Sequence, residues 1–320
     1  MRREGTHMLA FVLSGAANFG AMQAGALEII LASGIQPDML VGSSAGALNA
    51  IFLAADPTYE RAIQLQEMWR AAGPDQVGVP KPFIAIRRLV QQKDGLIDSQ
   101  RLAHFLKERL PAGIETFGEL EQIKGIKTYV VAVEVASGEM RIFGEDSRDR
   151  VLDGAMASSA VPPYFPPWIV GEHRYLDGGV YAKLPLCVAI ERGATQIIGL
   201  DVSFSMGTAA NARGVMGVSG YSLSLMIQAQ TALELAWARL SGVPIRMITL
   251  EAPSEVPFWD YTKADDLIER GRKIAAAIVA DNPLRRVSAL GVSWRKLWRR
   301  VGRYPLATLP YRGFANDPEA

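Results

Sequence analysis

Ser44 stands in Gly42-Ser43-Ser44-Ala45-Gly46, a G-x-S-x-G pattern that follows the apolar run Leu40-Val41 and leads into Ala47-Leu48-Asn49-Ala50. This is the spacing of a nucleophile elbow. A serine there sits on a sharp strand-to-helix turn, its hydroxyl exposed and a helix N-terminus beneath it. The two glycines are required because strand and helix backbones come too close for side chains. Only Ser44 fits, since Ser43 would need glycine at Val41 and Ala45. A serine hydroxyl attacks well only when a base takes its proton. The chain has three histidines. His7 lies before the first strand, His104 inside an expected helix and His173 in a polar turn. Each reads more simply as a surface or supporting residue. Asp177 is the better base. It ends a short apolar strand and precedes Gly178 and Gly179, which lets the loop present a carboxylate and another backbone approach closely. An isolated Asp-Gly is an ordinary turn, so the signal gains its force from combination.

The third requirement is a set of backbone N–H donors aimed at developing negative charge. The first strand runs into Ser14-Gly15-Ala16-Ala17-Asn18-Phe19-Gly20, a small-residue loop before a helix. Loop amides and the helix N-terminus make an anion site. No dinucleotide or phosphate-loop glycine pattern competes with this reading. The expected oxyanion hole comprises Gly15, Ala16 and Ala17, with Ala45 following the general rule for elbows.

Together these pieces resemble the patatin-like phospholipases, serine–aspartate lipid acyl hydrolases. The resemblance lies in the loop Leu13 to Leu27, the elbow Gly42 to Ala50, the acid motif Asp177-Gly178-Gly179 and the proline-rich stretch 157–167 ahead of it. Four landmarks in the right order cover about residues 8–200. The resemblance implies a three-layer α/β fold with a mostly parallel central sheet and helices on both faces. It also implies a calcium-independent acyl hydrolase with a Ser44–Asp177 dyad, an acyl-serine intermediate, a lipid or acyl-ester substrate and neither metal nor cofactor. Two family glycines are Ala16 and Ala17 here, and the family's loop arginine is Phe19. Alanine keeps its N–H but resists φ > 0. Two alternatives therefore stay open: a catalytically impaired docking or regulatory protein, and an esterase, thioesterase or transacylase using the same dyad.

With 320 residues, 49% of them apolar, the chain is long enough for one large α/β domain. Its formal charge of +1 gives no bias toward nucleic acid, and none is expected as a partner. The single cysteine, Cys187, cannot form an internal disulfide and reads as a small hydrophobe. A reducing, cytoplasmic location is the expectation. The apolar segment 8–13 behind Arg2 and Arg3 is too short for a signal peptide core.

Strand and helix patterns alternate, as in a parallel sheet covered on both faces. Strands are expected at 9–13, 39–41, 128–135, 139–143, 196–201 and 245–250. Helices are expected at 21–33, 45–54, 59–72, 99–110, 182–192, 219–240 and 264–280. Elbow and acid loop then both fall at the carboxyl ends of strands, where open α/β sheets bind ligands. Residues 73–95, with three prolines, read as a surface loop, or as a lid. The helix at 219–240 reads as packing its apolar residues on the sheet, although the resemblance also allows it to line an acyl groove.

The chain divides into a catalytic domain, 1–282, and a tail, 283–320. From Arg285 to Arg312 there are eight basic residues and no acid. Of 34 basic residues, removing those eight leaves 26 against 33 acidic ones, a net of −7. Apolar Leu290, Trp294, Trp298 and Val301 alternate with Arg285, Arg286, Arg295, Lys296, Arg299 and Arg300. That is the pattern of a basic amphipathic helix on an anionic membrane surface, which would place the protein peripherally at the inner membrane face.

Overall fold

A computed structural model describes residues 7–79, 82–110, 113–205 and 213–286. The first half contains β1 (Leu9–Leu13), α1 (Gly20–Ala32), β2 (Met39–Ser43), α2 (Ala45–Ala54), α3 (Tyr59–Ala71), α4 (Pro74–Val77), α5 (Pro82–Val90), α6 (Ser99–Arg109) and α7 (Phe117–Lys124). There follow β3 (Lys127–Glu134), β4 (Met140–Phe143), α8 (Val151–Ser158), β5 (Trp168–Val170), β6 (His173–Asp177), α9 (Gly179–Ala182) and α10 (Leu186–Glu191). The last elements are β7 (Gln196–Ser203), α11 (Gly214–Leu240), β8 (Ile245–Glu251) and α12 (Ala264–Asp281).

The strands form one sheet, paired in the order β5-β6-β3-β2-β1-β7-β8, with β4 also on β3. Strands β3, β2, β1, β7 and β8 run parallel. Strands β4, β5 and β6 pair antiparallel. Alternation along β1 explains the three layers. Leu9, Phe11 and Leu13 enter one apolar cluster, shared with α1, α2 and α3. Ala10 and Val12 enter another, shared with α10. A strand buried on both faces reads as a continuous apolar run, and β1 is wholly buried.

The registers on β3 decide where the site lies. Val131 pairs with Ser43 and with Ile142, one on each side. Ala132 pairs with Asp177 and with Arg141. Since β4 supplies both Ile142 and Arg141, β2 and β6 share the opposite edge, end to end. Their carboxyl ends therefore meet, bringing Ser43-Ser44 up against Asp177. Gly178 makes this junction possible: a Cβ there would stand 2.2 Å from the Val131 carbonyl oxygen.

Three expectations need correction. Residues 73–95 are not a plain loop but carry α4 and α5. Each begins at a proline, whose missing N–H is harmless in a first turn. The helix expected at 182–192 is split into α9 and α10, because Pro185 disfavours helical geometry at Leu184. Helix α11 buries only part of its apolar face: Ala238 and Leu235 join the second cluster, while Met226 and Leu233 stand exposed. The pattern also missed α7, which carries a Thr116/Glu119 capping box.

Gly178→Ala is expected to lower stability by about 1–3 kcal/mol and to move Asp177 away from Ser44. Urea denaturation and labelling of Ser44 would show both effects, and a neutral substitution would mean that the two strands are not held by this contact.

Candidate active site

Ser44 caps α2 with φ +53° and ψ −125°, a left-handed conformation that a non-glycine residue holds only under constraint. Its side chain does not cap the helix, so the hydroxyl is not tied to the turn. The turn is as tight as the spacing requires. A Cβ at Gly42 would fall 2.4 Å from the Gly46 carbonyl oxygen, and one at Gly46 would fall 2.2 Å from that of Leu13. The Ser44 N–H donates to Ser158 Oγ at 2.9 Å, which braces the strained residue from α8.

Asp177 is only 3% exposed. Its Oδ1 accepts the Gly179 N–H at 2.7 Å. Its Oδ2 closes no hydrogen bond, and the Ser44 hydroxyl is near enough to the carboxylate to favour its charged form. Burial dominates and pushes the Asp177 pKa up to about 7, with the Ser44 and Gly179 donors opposing it.

The loop after β1 is anchored from several sides. The Gly15 N–H donates to the Lys183 carbonyl at 2.8 Å. Gly15 was expected among the oxyanion donors, but that bond already uses its amide, so it fixes the start of the loop instead. Asn18 Nδ2 donates to the Pro257 and Asp260 carbonyls. Phe19 packs on Phe204 with ring centroids 5.4 Å apart. Ala17 adopts φ +49°, so one family glycine was replaced where a left-handed residue is used. Behind the loop, Gln23 Nε2 donates to the Ser14 and Leu200 carbonyls and its Oε1 accepts from Asn49 Nδ2. Trp69 Nε1 donates to Asn49 Oδ1 at 2.8 Å.

Gly15, Ala16, Ala17, Ser44, Ala45, Asp177 and Gly179 line one cavity of about 370 Å³. The rest of its wall is mostly apolar and comes from several elements, among them Leu48, Val77, Phe105, Tyr164 and Ile227. That size and lining suit an apolar ligand with one polar end. Gly42, Gly46 and Gly178 lie behind this surface, in the turns that support it. None of the histidines reaches it. His7 lies near Thr195, His104 pairs with Glu108 and His173 with Glu134.

Sequence reasoning missed three neighbours. Ser158 braces the nucleophile position, and Ser159 lines the cavity with a buried, unpartnered hydroxyl. Lys183 lines it too, with Nζ 2.7 Å from both Asp201 Oδ1 and the Val202 carbonyl. A lone cation in Val180-Tyr181-Ala182-Lys183-Leu184-Pro185 was the available signal.

Elbow turn, buried carboxylate and apolar cavity come together at the carboxyl ends of strands in a three-layer α/β fold. The chain belongs to the patatin-like phospholipase family, whose model matches residues 11–190. It is 23% identical over 196 residues to patatin-like phospholipase domain-containing protein 7 of Rattus norvegicus, across 61% of this chain but 13% of that protein. It is 26% identical over 230 residues to a cGAMP-activated phospholipase of Vibrio cholerae, across 61% of this chain and 62% of that one. Among solved structures, VipD from Legionella pneumophila is similar at TM-score 0.44 and 13% identity, covering 86% of this chain and 67% of VipD. Human GIVD cytosolic phospholipase A2, in complex with methyl gamma-linolenyl fluorophosphonate, is similar at TM-score 0.43 and 11% identity, covering 94% of this chain and 61% of that one.

Ala17→Gly relieves a left-handed alanine, which costs ~1–2 kcal/mol, against a smaller entropic loss in the unfolded chain. The variant is expected to be more stable by about 1 kcal/mol, read from denaturant midpoints. A less stable variant would show that this loop conformation carries no strain.

Proposed function

We propose that the chain is a lipid acyl hydrolase with Ser44 as nucleophile and Asp177 as base. The observation that carries this is the buried Asp177 carboxylate with a free Oδ2, poised near pH 7 beside Ser44 at the wall of an apolar cavity. Ser44 Oγ attacks the ester carbonyl while Asp177 Oδ2 takes its proton. The carbonyl electrons move to oxygen, which the N–H groups of Ala16, Ala17 and Ala45 hold; none of these amides has another acceptor in the described structure. Collapse expels the alcohol, which takes the proton from Asp177 and leaves an acyl-Ser44. Asp177 then draws a proton from water as it attacks the acyl carbon; the adduct collapses, the bond to Ser44 Oγ breaks, that oxygen takes the proton back from Asp177, and the fatty acid is freed. A base with a pKa near the working pH is the most effective kind.

Ala17 favours the second reading, a slowed member of the family. Losing one oxyanion donor costs ~10²–10³ in turnover. Ala16, Ala17 and Ala45 nevertheless line the cavity beside Ser44, which supports reading the chain as an active enzyme. The tail 283–320 is proposed to add affinity for anionic lipid. Of its named residues, Arg286 pairs with Asp38 at 3.3 Å, and the Arg285 carbonyl accepts from Gln196. Trp294, Arg295, Lys296, Trp298, Arg299 and Arg300 lie outside the described residues. Among those described, no helix is long and apolar enough to cross a membrane.

A fluorophosphonate probe is expected to add once to the wild type, and not to Ser44→Ala or Asp177→Asn, by intact mass. A well-folded wild type without adduct would overturn the hydrolase reading. Because the ionised form of Asp177 is the base, kcat/KM should rise with pH through about 7 and then level off. Substituting His7, His104 or His173 should leave that limb in place. The raised folded pKa also means stability present below the unfolded value of 3.8 is lost as pH rises through about 7. Asp177→Asn should therefore gain stability over wild type above neutrality. For the tail, full-length protein with Arg295, Lys296, Arg299 and Arg300 changed to Gln should bind anionic vesicles more weakly, and unchanged co-sedimentation would remove its proposed role.

A further inference from the structure

Two helices joined to the cavity wall leave apolar side chains in water. Val79 and Leu96 both line the cavity, and α5 lies between them in the chain. No described residue of α5 is buried. Phe83, Ile86, Leu89 and Val90 are 65%, 63%, 69% and 77% exposed. On the other element, Leu223 and Ile227 of α11 line the cavity, while Val218, Leu225 and Met226 on the same helix are exposed. Val180 and Trp259, both part of the cavity wall, are themselves half-exposed. Apolar exposure on elements joined to one cavity wall points to an interaction surface rather than scattered surface residues.

Charge narrows the choice of partner. Residues 79–93 contain Lys81, Arg87, Arg88 and Lys93 and no acid, and residues 214–233 contain no charged residue at all. A chain with 33 acidic residues has thus kept them off both stretches. A second copy is a poor occupant, because an isologous contact would set the arginines against a face with no carboxylates. A surface offering both hydrocarbon and phosphate satisfies both halves of the patch.

We propose that α5 and the exposed side of α11 form a docking face for anionic bilayers, seating the cavity mouth on the lipid surface. The inference rests on reading the cavity as the acyl site, and it does not depend on the tail. Phe83, Ile86, Val218 and Met226 enter the acyl layer, and Arg87 and Arg88 meet lipid phosphates. A phospholipid then passes from bilayer to cavity without its acyl chains crossing water.

The test uses full-length protein with vesicles of phosphatidylcholine, with and without phosphatidylglycerol. Three double variants are compared with wild type: Phe83→Ser with Ile86→Ser, Val218→Ser with Met226→Ser, and Arg87→Gln with Arg88→Gln. The two apolar variants are expected to bind vesicles about tenfold or more weakly. They should lose hydrolysis of vesicle phospholipid and keep hydrolysis of a dissolved short-chain ester, which also certifies folding. The arginine variant should lose only the gain that phosphatidylglycerol gives wild type. Wild-type vesicle binding in the apolar variants would overturn the proposal. So would a lipid-free dimer that the same substitutions dissociate, since the face would then belong to a second copy. If wild type neither takes the fluorophosphonate nor cleaves the ester, yet its vesicle binding still needs these residues, the hydrolase reading fails and the docking face stands.

Discussion

The rest of the structure depends on two strands sharing one edge of β3. Serine and aspartate have short side chains, so they approach only when their backbones do. Strand β2 holds the first part of the edge and β6 the next, with Ser43 opposite Val131 and Asp177 opposite Ala132. Because β6 runs against β2, both carboxyl ends arrive at one point. The distance between the two groups is then set by backbone ladders rather than by flexible side chains. A slip of one residue in β6 would turn Asp177 to the other face of the sheet.

Around that point, polar groups join elements that apolar packing alone would leave free to slide. Gln23 on α1, Asn49 on α2 and Trp69 on α3 form one buried chain of hydrogen bonds that also reaches Ser14 and Leu200. A satisfied buried network rigidifies what it connects, and a half-satisfied one is worse than none. The loop after β1 and the elbow helix are thereby held as a unit. This supports both the left-handed Ala17 and the strained Ser44 against relaxation.

Under the proposed mechanism, substrate affinity and base strength would have a common origin. The apolar wall that suits an acyl chain also removes water from Asp177, and this desolvation is what raises its pKa. A more polar wall would bind lipid less well and leave a weaker base. The same economy of charge extends to α5, which carries apolar and basic residues without carboxylates, and to residues 214–233 of α11, which carry no charge.

The sequence by itself determined the features that rest on local geometry. The elbow was legible because the glycine spacing around Ser44 follows from the clash of adjacent backbones. The parallel core strands were legible because burial on both faces demands unbroken apolar runs, whereas Asp177-Gly178-Gly179, an ordinary turn by itself, gained its force only beside the elbow and the loop after β1. What pattern left ambiguous, tertiary structure decided. Pro74 and Pro82 have one chemistry as breakers and as first-turn residues, and only the surrounding chain selects between them. The amphipathic α11 announced an apolar face but not what would cover it. Ser158 reaches Ser44 across 114 residues, and Lys183 ties Gly15 to the end of β7. Such partners are set by strand register and layer packing, which no short window of sequence encodes. The meeting of β2 and β6 on β3 belongs to the same class, and it turns two separate motifs into one site.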